Sequence, residues 1–236
     1  MYRLLSSTLI LFITCTVQAQ RVIDISSSDA NASNSEQLSN FVGGTIFPID
    51  KYVKVKEGTP YYDNEWCTGT LVVGMGTTYQ NLQLKLDLLN HEVHYKDANN
   101  REMILSVPLK EVVLRPGGLN ARTFIPGKAW AEADKRLADS WLEVLVNDTV
   151  SLLLDIRKKV TETQGYSSAT TEQSISDSYV YFVQKKGQMN RVTKWSQLLD
   201  VLADKKAEVG RFVKENHLTG EAPLEYTQVV AYYNTL

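Results

Sequence analysis

Two hydrophobic rhythms divide this chain, and together they leave few architectures open. Leu82, Leu84, Leu86 and Leu88 alternate with Gln83, Lys85 and Asp87, so one face is apolar and the other polar. That is the pattern of a half-buried antiparallel strand. Beyond Thr193 the period changes. Trp195, Leu198, Leu199 and Leu202 recur at i, i+3, i+4 and i+7, Val209, Phe212 and Val213 continue the stripe, and Tyr226, Val229, Val230 and Tyr233 repeat it. These are amphipathic helices. Strands first and helices last predict an α+β fold, here an antiparallel β meander, a curved sheet or a partial barrel, followed by C-terminal helices.

Turn chemistry places the strand boundaries. Gly74-Met75-Gly76 separates Leu71 and Val73 from the Leu82 run, and Asp97-Ala98-Asn99-Asn100 separates Glu92–Lys96 from Glu102–Val107. Glu111–Arg115 stops at Pro116-Gly117-Gly118, and Thr123–Ile125 follows. Trp130, Ala133 and Leu137 suggest a short helix within 127–140. Asn147-Asp148 joins Trp141–Val146 to Val150–Ile156 as a two-residue hairpin. Gly165–Ser178, rich in Ser and Thr, reads as a long mobile loop. Tyr179–Val183 and Met189–Val192 pair around Lys185-Lys186-Gly187. Thr193 is the expected cap of the first helix, and Pro223 suits the first turn of the last.

The N-terminus reads as an export signal. Arg3 supplies a positive start, Leu9–Ile13 a dense apolar core, and Val17-Gln18-Ala19 small residues at a cleavage site before Gln20. The apolar run is too short for a permanent span. Cys15 raises the alternative of lipidation, but Phe12-Ile13-Thr14 before it is a poor match to a lipoprotein cleavage site. The expected organisation is a signal peptide over 1–19, a flexible leader over 20–40, a β-rich domain over 41–193 with its mobile loop 165–178, and helices over 194–236 packed on the same domain. Export would place the protein in the periplasm, at the outer membrane or outside the cell. Losing Arg3 with the signal peptide takes the net charge from −2 to −3, which gives no basic face for nucleic acid. No later segment is long and apolar enough for an integral membrane span. Only Cys67 then remains, so the fold has no internal disulfide, and Cys67 reads as a buried small apolar residue.

No motif carries chemistry. His91 and His94 stand three apart, which fits neither a zinc-protease helix nor one face of a strand; both read as solvated strand residues, with no metal between them. His217 falls near a helix end. Gly74-Met75-Gly76 has no third glycine at nucleotide-binding spacing, and neither a phosphate loop nor a Gly-x-Ser-x-Gly elbow occurs. Asp63, Glu65, Asp87 and Glu92 read as surface carboxylates. Tyr61, Tyr62, Trp66, Tyr79, Tyr95, Trp130 and Trp141 crowd the β region, where they suit core packing and, if exposed, carbohydrate binding. Asp148-Thr149-Val150 resembles a bacterial O-glycosylation sequon. No catalytic, cofactor-binding or metal-ligating residue is assigned, and no cofactor.

Gly58-Thr59-Pro60-Tyr61, Asp63-Asn64-Glu65-Trp66, Tyr79-Gln80-Asn81 and Leu84-Lys85-Leu86-Asp87-Leu88 resemble a widespread set of uncharacterised exported proteins of Gram-negative bacteria. Trp141–Val146 with Ser151–Leu154, and the closing Ala231-Tyr232-Tyr233-Asn234, continue the resemblance over residues 58–236. It implies export and a strand-then-helix layout, and no known activity. The expected function is a non-catalytic binding or assembly component of the cell envelope, with another envelope protein or a glycan as partner. The rivals are an exported hydrolase acting on glycan or ester, and a carrier of an apolar ligand.

Overall fold

The computed structural model describes residues 21–25, 43–48, 51–74, 76–164 and 171–236. The signal-peptide reading and Cys15 lie outside these residues. The fold is α+β, a mostly antiparallel open sheet followed by three helices.

The centre of the sheet is a meander of short strands: β4 (Cys67–Val73), β5 (Thr78–Asp87), β6 (Glu92–Lys96), β7 (Glu102–Ile104), β8 (Leu109–Arg115), β9 (Arg122–Pro126) and β10 (Trp141–Val146). Then β11 (Val150–Gln164) and β12 (Thr171–Lys185) form a long hairpin, and β13 (Gln188–Val192) adds to β12. The leucines of β5 alternate as expected: Leu82, Leu84 and Leu86 are at most 2% exposed, whereas Gln83 is exposed. Three short strands complete the sheet. β1 (Val22–Asp24) runs parallel to β5, β2 (Thr45–Ile46) antiparallel to β7, and β3 (Val55–Glu57) parallel to β12. Along the ladder the order is β13-β12-β11-β10-β9-β8-β4-β5-β6-β7-β2.

Four expectations need correction. Thr171–Ser178 is not loop: it pairs residue for residue with Arg157–Gln164 of β11. Only 165–170 of that stretch lies outside the described residues. The leader is not wholly free either, because Val22–Asp24 lies along Thr78–Gln80. In 127–140 the helix is replaced by two 3-10 turns, Gly127–Trp130 and Lys135–Leu137. Lys194, not Thr193, is the N-cap of α1 (Trp195–Val201), and Gln197 reaches back to accept from both Thr193 and Lys194 backbone N–H groups.

The helices α1, α2 (Lys206–Glu215) and α3 (Pro223–Asn234) lay their stripes on the sheet. Leu198, Leu202, Val209, Tyr226, Val229, Val230 and Tyr233 are buried with Val150, Leu152, Leu154, Tyr181 and Val183. Each fully buried side chain of this kind contributes about 1.5–3 kcal/mol. The opposite face of β10–β12 buries Leu142, Leu153, Val180 and Phe182 under Leu137 and Trp130. A third core, from Leu71 and Leu84 to Phe124, fills the meander. Among the described residues no helix is long and apolar enough to cross a membrane.

A strap ties the sheet together. After β2 the chain leaves the β7 edge and runs through Tyr52 to β3 on β12. It then returns to β5, where Tyr61 bridges Asp87 and Tyr62 N–H donates to Leu86 O at 2.8 Å. Gly58 permits the crossing. Its φ is +78°, and a Cβ there would lie 1.9 Å from Ile175 O, a clash no side chain could relieve.

Candidate functional site

The strap and the β9–β12 face enclose an open cleft of about 370 Å³. Cross-strand register makes its floor. Ile156 opposes Tyr179, and Lys158 opposes Asp177, so all four side chains project from one face. Lys158 Nζ lies 2.9 Å from an Asp177 oxygen, with the lysine side chain 2% exposed. Tyr62 and Asp63 come from the strap, Leu119 and Asn120 from the turn after β8, and Arg122 from the start of β9. Tyr62 is fixed edge-on against Phe124, ring centroids 4.7 Å apart. Tyr179 and Leu119 stand well exposed.

Glu143 lies on β10 behind Arg122, whose Nη1 donates to it at 3.3 Å. Glu143 is 4% exposed. Burial pushes its carboxyl above the ordinary range, and Arg122 opposes that. Burial, reinforced by Glu143, pushes the Tyr62 phenol up to about 12. The cleft thus offers neutral tyrosine hydroxyls, two cations, and carboxylates of which Asp177 is ion-paired. Aromatic faces beside paired donors and acceptors suit a polar ligand with apolar ring faces.

A second cluster lies under the strap. His94, on β6, is fully buried between Phe47 and Tyr61, ring centroids 4.9 and 5.7 Å away. Its Nδ1 is 2.7 Å from Glu102 Oε1 and its Nε2 3.5 Å from Glu92 Oε2. Asp87, also fully buried, ends β5. One of its oxygens accepts from the Leu89 and Asn90 backbone N–H groups, and the other from Asn90 Nδ2 at 2.9 Å and from Tyr52 Oη–H. Lys51 Nζ is 2.7 Å from Glu92. The reading of His94 and Asp87 as solvated surface groups is therefore overturned. The cover comes from Phe47, Tyr52 and Tyr61, which no local pattern ties to β6. His91 is apart from this cluster, exposed in the β5–β6 turn at φ +61°, with its carbonyl accepting from Trp141 Nε1 at 3.2 Å.

The other singled-out residues resolve simply. Cys67 is 2% exposed, and burial pushes its thiol up. Tyr61, Tyr79, Tyr95 and Trp141 are buried; Trp66 and Trp130 are half-buried, Trp66 beneath Lys85 and Lys96. His217 follows α2, exposed at φ +52°. Gly74 and Gly76 flank the β4–β5 turn, where Gly76 N–H donates to Val73 O at 2.8 Å. Asp63 lines the cleft, and Glu65 is exposed. Asp148-Thr149 is exposed at the β10–β11 turn. Ser140 and His91 share a second cleft of about 350 Å³. Ser140 Oγ donates to Arg136 O at 2.9 Å.

No protein-family model, curated protein or solved structure matches the chain. The functional reading rests on the site itself.

Proposed function

We propose that this is an exported envelope protein that binds a glycan or similarly polar ligand in the Tyr62–Tyr179 cleft without chemical turnover. The observation that carries the reading is the Lys158–Asp177 ion pair on the cleft floor, its lysine buried and its aspartate exposed to the cleft, flanked by the two tyrosines. An aligned cation–carboxylate pair recognises hydroxyls in both senses, donating and accepting, and the tyrosine rings supply stacking surface. The export half rests on Arg3, the Leu9–Ile13 core and Val17-Gln18-Ala19.

Hydrolysis has one supporting observation, the raised carboxyl of Glu143 behind the cleft residue Arg122. A glycoside hydrolase needs its acid within reach of the scissile oxygen, and Glu143 is enclosed behind Arg122. Binding is favoured for that reason. An apolar carrier is less well supported, because charged residues border this cleft and the His91 cleft.

The test is calorimetric titration of the mature protein with soluble envelope oligosaccharides, alongside mass spectrometry of protein secreted from its own leader. Expected are a mature chain starting at Gln20 and saturable binding, weakened at least tenfold by Tyr179→Ala. Binding that Tyr179→Ala and Lys158→Met both leave unchanged would move the site elsewhere. Release of product, abolished by Glu143→Gln, would replace binding with hydrolysis.

A further inference from the structure

We propose that Asp87, Glu92 and His94 bind a single divalent first-row transition ion, zinc or manganese, beneath the strap. One ligand atom from each lies within 4.8 Å of the other two. The donor set, one imidazole and two carboxylates, suits such ions.

The decisive feature is His94 Nε2. It is buried, has no hydrogen-bond partner among the described residues, and faces a Glu92 oxygen at 3.5 Å. Glu102 holds the other ring nitrogen at 2.7 Å. With the Nδ1 proton donated to Glu102, Nε2 presents a lone pair toward a carboxylate that also presents lone pairs. Two such acceptors face one another favourably only across a cation, either a bound metal ion or a second proton on the ring. A carboxylate behind an imidazole is also the usual outer support of a metal-bound histidine, fixing its tautomer and ring orientation. Asp87 accepts two hydrogen bonds on each oxygen, so it would ligate only by giving up the Tyr52 hydroxyl or the Asn90 amide, the backbone N–H groups still holding its other oxygen.

Ligands in a tetrahedral site with bonds of about 2.0–2.2 Å lie roughly 3.3–3.6 Å apart, a spacing His94 and Glu92 already meet at 3.5 Å, so the closure of about an ångström concerns the distance to Asp87. Glu92, 31% exposed on a flexible stem, supplies that movement. Lys51 now neutralises Glu92 and would be displaced to solvent. The ion would join the end of β5 to β6 beneath aromatic residues of the strap, in exchange for the Lys51 contact. Neither His91 nor His217 takes part. The site is independent of the cleft and of what the cleft binds.

The test uses untagged full-length mature protein stripped with chelator and titrated with Zn²⁺, Mn²⁺ and, as a spectroscopic stand-in, Co²⁺. Expected are one equivalent bound, a raised melting temperature, and affinity reduced at least a hundredfold in Glu92→Gln. Glu92 is partly exposed, so that variant should fold. Lys51→Met should tighten binding by removing the competing cation, and His91→Ala should leave it unchanged. Absence of binding at micromolar ion, or one equivalent that survives both Glu92→Gln and His94→Gln, would overturn the proposal.

Discussion

The side chain of Asn234 pairs with both backbone groups of Val150: Val150 N–H donates to Oδ1 at 2.9 Å, and Nδ2 donates to Val150 O at 2.8 Å. The last helix thus satisfies the first residue of β11 as a neighbouring strand would. Val150 is 1% exposed, so these groups have little access to water. Asn234→Ala should cost about 1–3 kcal/mol, the desolvation of unpaired buried groups. Asn234→Asp, which accepts but cannot donate, should be destabilising too. Urea unfolding of both variants checks this; a change below about 0.5 kcal/mol would mean that water substitutes freely.

Cutting the chain after Asn216 should destabilise the whole fold. The cut removes Tyr226, Val229, Val230 and Tyr233 and uncovers Val150, Leu152 and Leu154. Four buried side chains amount to about 6–12 kcal/mol, comparable to the whole margin of a typical domain. Loss of solubility or a collapsed thermal transition is expected. A truncated protein that melted like the full chain would make α3 a removable module.

Glu143 should make stability fall as pH rises. Burial raises its carboxyl in the folded state, so the native protein holds a proton that the unfolded chain has already released. The unfolded state therefore binds fewer protons above the ordinary glutamate range, and the slope of stability with pH is negative there. Asp155, also raised by burial, acts in the same direction. Glu143→Gln should flatten the decline above the ordinary glutamate range in denaturant titrations. An unchanged slope would exclude Glu143 as its source.

Cys67 should react slowly with thiol reagents in the native protein and quickly in urea. Its burial keeps it from the reagent and holds the thiol protonated. Cys67→Ala should cost about 1 kcal/mol and Cys67→Asp several. Rapid native labelling would reverse the assignment.

The legible parts of this fold were those where burial is one-sided and local. The β5 leucines and the stripes from Trp195 to Tyr233 could be read because each faces one core throughout. The outer arms of β11 and β12 could not. Around Lys159–Thr163 and Ser176–Ser178 the residues are largely exposed, so no apolar alternation marks them, and the ladder of backbone hydrogen bonds alone defines the strands. Val22–Asp24 is strand only because Thr78–Gln80 offers an edge. His94 pairs with Lys85 on a face that local pattern assigns to solvent. Its burial is imposed by Phe47 and Tyr61, distant in sequence. The cleft is likewise assembled from the strap, β9, β11 and β12, and no single segment announces it.

The strap's pairing of Val55 with Gln173 also bears on the order of assembly. Neighbouring hairpins such as β4–β5 and β5–β6 close short loops, whereas β3 has no edge to join until β12 is in place. Long loop closures cost more entropy before contacts compensate them. A chain emerging N-terminus first would hold Val55–Glu57 ready but unpaired until most of its length had followed. Pulse-labelled hydrogen exchange should show β5 amides protected well before those of β3, making the strap the latch that closes on a sheet already built.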